Sequence, residues 1–129
     1  MAGAPYPDLA GVGAAQRAAE QLTEMYLSAL EAHYARVVAA GADYRTVAEL
    51  QSAVSSHPTR ERLWRQLAVA LFQSSRQAES LAAIDQCRRT LARYGLRASA
   101  RIDELYVAIL RGDQGALASR PGRRPEGDR

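Results

Sequence analysis

The side chains best able to act as a nucleophile, a base or a metal ligand are one cysteine and two histidines. Cys87 lies on a line of apolar residues at helical spacing, which is typical of a buried and unreactive thiol. His33 and His57 have no further His, Cys or carboxylate at metal-ligand spacing, and His57 is best explained as a turn residue before Pro58. The sequence therefore predicts no metal site and no cofactor.

Two pairs of carboxylates offer the spacing needed for acid and base catalysis. Asp103 is followed directly by Glu104, and Glu20 and Glu24 are one helical turn apart. Both pairs fall where a solvent-exposed helix face is expected. The sequence also lacks a phosphate-binding loop, a G-x-S-x-G nucleophile elbow and a dinucleotide-binding fingerprint. We therefore predict that the chain is not an enzyme and has no catalytic residues.

Arginines form the third group of side chains that could take part in chemistry, here by binding a negatively charged partner. Arg89, Arg93 and Arg97 recur every four residues, with Arg88 beside them, until Gly95 interrupts the helix. Such a stripe could meet an acidic protein surface or DNA phosphates, or it could be an ordinary solvated face. The sequence leaves these alternatives open, and the four arginines are a candidate interaction surface.

Composition narrows the class of protein. The 129 residues include 17 basic ones, all of them arginine, against 14 acidic ones, which gives a net charge of +3 and only a weak indication of DNA binding. A single cysteine excludes an intramolecular disulfide framework and so indicates a reducing compartment. There is no apolar membrane span and no secretion signal. We expect a cytoplasmic protein of one domain, with no membrane contact.

Glycine and proline divide the chain into five segments with apolar residues at helical spacing. In the first segment, one apolar stripe consists of Leu22, Tyr26, Leu30 and Val37. Asp43 and Ser99 are suitable N-caps for the second and fifth helices, whereas His57 and Thr59 are alternative caps for the third. Because no segment alternates apolar and polar residues convincingly, the expected fold class is all-α. The helices are expected from about Gly13 to Ala40, from Asp43 to before Pro58, from Thr59 or Arg60 to Ser74, from Gln77 to Tyr94, and from Ser99 to Arg111.

Both ends of the chain are expected to lie outside the helical domain. Residues 1–12 contain two prolines and two glycines and are interpreted as a lead-in. Residues 113–129 combine glycine, proline and charge with almost nothing to bury, so we predict a disordered tail. The helical domain is then residues 13–112.

A pattern of residues repeats after 34 positions in the middle of the chain. Trp64 and Leu71 match the first helix of a tetratricopeptide (TPR) repeat, and Ile84 and Cys87 match its second helix. The positions 34 residues earlier are all apolar. Because a single helical hairpin cannot cover its own inner face, two such repeats would share a core. We predict a TPR-like α-α superhelix of about five helices, with a core of Leu30, Val37, Leu50, Trp64, Leu67, Leu71, Ile84, Cys87, Leu91 and Leu105.

The segment from His57 to Leu96 resembles a known regulatory domain. Its most specific part is the run HPTRERL, residues 57–63, followed by the Arg-Gln-Ala triplet at residues 76–78. These residues resemble the bacterial transcriptional activation domain (BTAD) of the antibiotic regulatory protein (SARP) activators, where it follows a winged-helix DNA-binding domain. The resemblance extends from about Pro5 to Asp113 and implies a TPR-like fold.

Three departures from the family pattern stand out. Ser75 occupies a position where the family usually has glycine, so it must adopt a positive φ at a cost of about 1 kcal/mol or reshape the turn. Residues 97–100 read RASA where the family usually has Glu-Pro-x-Pro. The sequence also starts inside the family's activation domain, without a winged helix. We therefore expect either a fragment or a short relative that has lost DNA binding.

The resemblance implies a regulatory module that acts by protein–protein contact in the control of antibiotic biosynthesis. Its expected partner is the transcription machinery, another regulator or a second copy, and we expect no sequence-specific DNA binding by this chain alone. The absence of Lys and Asn is typical of a GC-rich genome such as that of an actinobacterium. The alternative is a stand-alone TPR-like adaptor or scaffold that binds an enzyme or a regulator of a biosynthetic cluster.

Overall fold

The computed structural model describes the backbone of residues 5–118 and the side chains of residues 11–115 and 117. This part of the chain is helical and contains no strand, so the all-α, TPR-like prediction is confirmed. It divides into two units, which meet within the first helix between His33 and Tyr34. The helices are α1 (Pro5–Ala40), α2 (Tyr44–Ser56), α3 (Glu61–Gln73), α4 (Gln77–Arg93), α5 (Ala100–Arg111) and α6 (Gln114–Ala118).

The first unit consists of the long N-terminal part of α1. The helix begins at Pro5, so residues 5–12 are helical instead of forming the expected lead-in. Proline is tolerated in a first helical turn because the N–H groups there have no partner within the helix. Leu22, Met25 and Tyr26 are largely exposed, although the helical spacing predicted that Leu22 and Tyr26 belong to a buried stripe.

The second unit is built around α3. Seven of its thirteen residues are buried, and it packs against α2, α4 and α5. Ala68 of α3 and Ser80 of α4 are fully buried, and the Ser80 hydroxyl donates a hydrogen bond of 2.5 Å to the Ala68 carbonyl oxygen. Small residues at this crossing allow the backbones of α3 and α4 to approach closely. The two helices form the hairpin at the centre of the fold.

The structure places the ten expected core residues in two groups. Seven of them are buried, and the other three, Leu30, Val37 and Leu105, are only half-buried. On α1 the buried positions are Leu27, Glu31 and Tyr34. The Tyr34 hydroxyl donates a 2.9 Å hydrogen bond to Glu49 of α2, and Tyr34 is more deeply buried than the expected core residue Val37. The seven buried residues are Leu50, Trp64, Leu67, Leu71, Ile84, Cys87 and Leu91.

Two of the three predicted helix caps are confirmed. Asp43 accepts hydrogen bonds from the Arg45 and Thr46 N–H groups, and Ser99 accepts one from the Arg101 N–H group. Neither of the two caps considered for α3 is used, because Arg60 precedes that helix and makes no side-chain cap. The segment before α3 is held by the Trp64 indole instead, whose Nε1 donates a 2.9 Å hydrogen bond to the Pro58 carbonyl oxygen.

Three helices end in the same left-handed turn. The residue with positive φ is Ser75 after α3, Gly95 after α4 and Gly112 after α5, with φ values of 62°, 74° and 69°. In each turn the next N–H group donates to a carbonyl five residues back, as Arg76 does to Leu71. Of the two alternatives for Ser75, a positive φ or a reshaped turn, the structure has the positive φ, and the turn has the same form as those at Gly95 and Gly112.

Side chains that bond to the backbone of another element fix the order of the helices. Gln73 bridges the turn between α1 and α2, since its Nε2 donates to the Val38 carbonyl oxygen and its Oε1 accepts from the Ala42 N–H group, both at 2.8 Å. Gln77 at the start of α4 donates to the Ile109 carbonyl oxygen at 2.6 Å, close to the end of α5. None of these contacts follows from helical periodicity.

The start of α5 is held against the start of α3. The Glu61 carboxylate accepts hydrogen bonds from the Ser99 N–H group at 2.7 Å and from the Ser99 hydroxyl. Since Gln77 connects the start of α4 to the end of α5, α3 and α5 run in the same direction. After α5, residues 114–118 form the short helix α6 instead of belonging to the expected disordered tail. The remainder of that tail, residues 119–129, and residues 1–4 lie outside the described residues.

Replacing Ser75 with glycine should raise the free energy of unfolding by about 0.5–1 kcal/mol, because glycine adopts a positive φ without a Cβ clash. Urea or thermal unfolding measures the change. The reverse substitution, Gly95→Ser, is a matched control, because a Cβ there meets no atom within 4 Å and only the backbone conformation is strained. Gly95→Ser should lower the free energy of unfolding, and equal stability of all three proteins would contradict the turn analysis.

Replacing Gln73 with alanine should lower the free energy of unfolding by about 1–2 kcal/mol, because two hydrogen bonds to backbone groups are lost. Gln86→Ala is the control, since the contacts of Gln86 are with Thr90 and Arg89 on its own helix. We expect that control to change stability by less than about 0.5 kcal/mol. Equal effects of the two substitutions in urea unfolding would show that Gln73 does not hold the turn between α1 and α2.

Candidate protein-interaction surfaces

The one cysteine is enclosed by the helical core. Cys87 is fully buried in α4, and this burial, with the nearby Glu61 carboxylate adding to it, raises the pKa of the thiol to about 12. A thiol with such a pKa is neutral at physiological pH and is a poor nucleophile. Among the described side chains, no three from His, Cys, Asp or Glu come together in a way that could hold a metal ion.

Arg88 connects α4 to α5. Its guanidinium forms an ion pair of 2.6 Å with Asp103 and one of 3.3 Å with Asp85, and it lies 5.1 Å from the centre of the Tyr106 ring. The hydrogen bond to Asp103 raises the pKa of Arg88 further, and the side chain is half-buried. Arg88 and Asp103, predicted as a surface residue and a carboxylate-pair member, are therefore joined to each other.

The other three predicted surface arginines lie near the end of α4 and beyond it. Arg89 donates a 3.0 Å hydrogen bond to Gln86, and all three are exposed. Arg89 and Arg93 line two adjoining pockets between α2 and α4, of about 400 and 320 Å³, on whose walls Trp64 also lies. The predicted stripe is thus divided, because Arg88 faces α5 while Arg89 and Arg93 face the α2 side.

A larger groove lies on the opposite side of α3. It has a volume of about 590 Å³, and arginines and apolar residues share its walls. We call it the α3–α5 groove. Sequence reasoning missed it because its residues come from four helices. Its lining residues are Ala35 and Val38 of α1, Arg62, Arg65, Gln66 and Val69 of α3, Arg101, Glu104, Leu105 and Ala108 of α5, and Leu117 of α6.

Positive charge gathers at the end of the groove where α3 and α5 begin. Arg65 forms an ion pair of 3.3 Å with Glu61, one turn earlier on α3. Burial lowers the pKa of Arg65, the Glu61 carboxylate opposes this shift, and the positive charges of Arg101 and Arg62 add to the lowering. Arg62 and Arg101 are therefore each close enough to repel Arg65, which indicates an excess of positive charge at this end of the groove.

The carboxylate pairs considered for catalysis are not assembled into a site. Asp103 pairs with Arg88, whereas Glu104 faces the α3–α5 groove, so these neighbours point to different surroundings. Glu20 and Glu24 are exposed on α1. Of the helices described, none combines the length and the apolar character that a membrane span requires.

The described part of the chain is a stack of helical hairpins with grooves on its surface, which is the architecture of a helical-repeat domain. Comparison with protein families identifies the particular kind. The model of the bacterial transcriptional activator domain matches residues 2–110, and the chain belongs to this family. The resemblance seen in the sequence is confirmed.

The relatives are regulatory proteins from actinobacteria. Regulatory protein DnrI of Streptomyces peucetius is 36% identical over 96 residues, which are 74% of this chain and 35% of the relative. Regulatory protein AfsR of Streptomyces coelicolor is 36% identical over 114 residues, 88% of this chain and 11% of the relative. The transcriptional regulatory protein EmbR of Mycobacterium tuberculosis is 40% identical over 55 residues, 43% of this chain and 14% of the relative.

The chain thus spans about a third or less of the length of these curated relatives. These three relatives are named as a transcriptional regulatory protein or as regulatory proteins, and none of them is named as an enzyme. No solved structure gives a significant match.

The buried thiol should resist alkylation while the chain is folded. At pH 8.5 a thiol with the ordinary pKa of about 8.5 is half ionised, whereas Cys87 is ionised in about one molecule in 3,000. Iodoacetamide labelling, followed by mass spectrometry, should be at least about 100-fold slower for the folded chain than for the chain in urea. Because the chain has one cysteine, no second thiol obscures the measurement.

Folding raises the pKa of Cys87, so its neutral form favours the folded state at pH values below the unfolded pKa of about 8.5. That contribution is lost as the pH rises toward about 12.

Labelling at equal rates in the presence and absence of urea would contradict the burial of Cys87.

Proposed function

We propose that this chain is a regulatory module of a SARP-type transcriptional activator and that it acts by contact with another protein. Membership of the bacterial transcriptional activator domain family carries the proposal. The relatives support it, because they are regulatory proteins of which the matched region is only one part. The expected setting is the control of antibiotic biosynthesis in an actinobacterial cell.

The chemistry of the described residues supports binding over catalysis. The thiol is buried, and the carboxylates of α5 are divided between an ion pair and a groove wall. Exposed arginines and half-buried apolar residues remain at the surface, and these side chain types are common in protein interfaces. The expected partner is the transcription machinery, another regulator or a second copy of the chain.

Tethering tests whether the chain activates transcription by protein contact. The chain is fused to an unrelated DNA-binding protein whose operator lies upstream of a weak promoter in an actinobacterial host, and the transcript is measured. We expect a several-fold rise over the DNA-binding protein alone. The fusion with Ile84→Asp is the control, because a charge at this fully buried position should unfold the domain and abolish the rise.

The result separates activation from the adaptor alternative. A folded fusion that occupies the operator and leaves the transcript unchanged would contradict the activator proposal and favour an adaptor that binds an enzyme or a regulator. We also expect the chain alone to bind no promoter fragment specifically. A footprint on one sequence that persists at moderate salt would contradict that expectation.

A further inference from the structure

We propose that the α3–α5 groove binds an acidic, amphipathic segment of the partner protein. The inference rests on the proposed function, because it names the chemistry of the partner for a module that acts by protein contact. It selects the groove over the arginine stripe of α4 that the sequence suggested. Shape, the order of polar and apolar residues, and charge support the choice.

The groove is polar at one end and apolar at the other. Because α3 and α5 run in the same direction, their starts bring Arg62, Arg65 and Arg101 to one end. Further along the same two helices, the wall consists of Val69 and Ala108. A matching segment therefore carries carboxylates at one end and apolar side chains along the rest. An amphipathic helix with one charged end has this arrangement.

The charge of the groove selects an acidic partner. Three arginines line the groove, against Glu104 on its wall and Glu61 beside Arg65, so the arginines outnumber the carboxylates by one. A guanidinium group binds a carboxylate through two parallel hydrogen bonds, and it loses less hydration than an ammonium group would. The Arg65 guanidinium is held in place by Glu61, so part of the binding geometry exists before a partner arrives. An acidic segment would also relieve the repulsion of Arg65 by the other two arginines.

Other occupants fit less well. The last eleven residues of the chain, 119–129, carry four arginines and two acidic residues, so this segment has the same sign of charge as the groove. A second copy brings a net charge of +3. A DNA backbone supplies phosphates for the arginines, but it offers nothing apolar to the half of the groove that contains Val69 and Ala108.

Peptide binding tests the proposal without a transcription assay. The probe is a short fluorescein-labelled peptide with a run of glutamates at one end and leucines at helical spacing in the remainder. The comparison peptide has lysines in place of the glutamates. Fluorescence anisotropy with the full chain should show binding of the acidic peptide, weakening with salt, and at least about tenfold weaker binding of the lysine peptide.

Two charge-reversal variants locate the site. The groove variant carries Arg62→Glu and Arg101→Glu, and the matched variant carries Arg93→Glu and Arg97→Glu on the α4 side. All four arginines are exposed, and both variants change the net charge equally. The groove variant should bind the acidic peptide at least about tenfold more weakly than the unmodified chain, whereas the α4 variant should stay within about threefold. Thermal unfolding verifies that both fold, and Arg101→Gln alone replaces the groove variant if it does not.

Several outcomes would overturn the proposal. They are no binding of the acidic peptide, equal binding of the two peptides, or a greater loss in the α4 variant than in the groove variant. A dimer that is seen by analytical ultracentrifugation and abolished by the groove substitutions would assign the groove to a second copy of the chain. Binding of a DNA duplex that is abolished by the same substitutions would assign the groove to nucleic acid. Because tethered activation is measured separately, either proposal can fail while the other stands.

Discussion

The two-sided burial of α3 is the constraint on which the remainder of the second unit depends. A helix hairpin has apolar side chains on more faces than its two helices can cover for each other, so α2 and α5 must add to the cover that α4 provides. Seven of the thirteen residues of α3 are consequently buried. Trp64 and Leu71 are used by the core and are not free for a partner. A partner could contact only those side chains of α3 that the core leaves exposed or half-buried.

Hydrogen bonds between side chains and distant backbone groups give this packing a unique arrangement. Apolar contacts are not directional, and several rotations of α5 on α3 would bury similar areas. Glu61 of α3 contacts the residue before the start of α5, and Gln77 of α4 contacts a residue near its end. Because each side chain must meet a particular N–H or carbonyl group, both contacts form in one orientation of α5. The direction of α5, and with it the presence of three arginines at one end of the groove, follows from these two contacts.

Sequence reasoning predicted the features that depend on neighbouring residues in the chain. The caps at Asp43 and Ser99 and the backbone conformation of Ser75 depend on local sequence. The repeat of 34 residues reveals the central hairpin because both of its helices bury apolar side chains against their neighbours. Periodicity identified an apolar face at Leu22 and Tyr26 but could not show whether another helix covers it, and these residues are exposed. The α3–α5 groove could not be predicted for the same reason, because periodicity does not show which helices pack side by side. Arg62 and Arg101 are 39 positions apart in the sequence, and contacts between distant residues, such as that of Glu61 with Ser99, bring their helices together.

The arginines of this chain show why charge in a sequence is a weak guide to a binding surface. Arg88 and Arg89 are adjacent and are the same residue type, yet Arg88 is paired with Asp103 and stacked on Tyr106, whereas Arg89 lies on the exposed surface. An arginine at a binding site is distinguished by the residues that surround it. Exposed charges on their own steer a partner and are screened by salt. Arg65 is half-buried beside Val69 and two further arginines, so a carboxylate that reaches it leaves water for a concave surface with an apolar extension. Electrostatic attraction there sets the orientation of a partner, and the apolar half of the groove determines how long the partner stays.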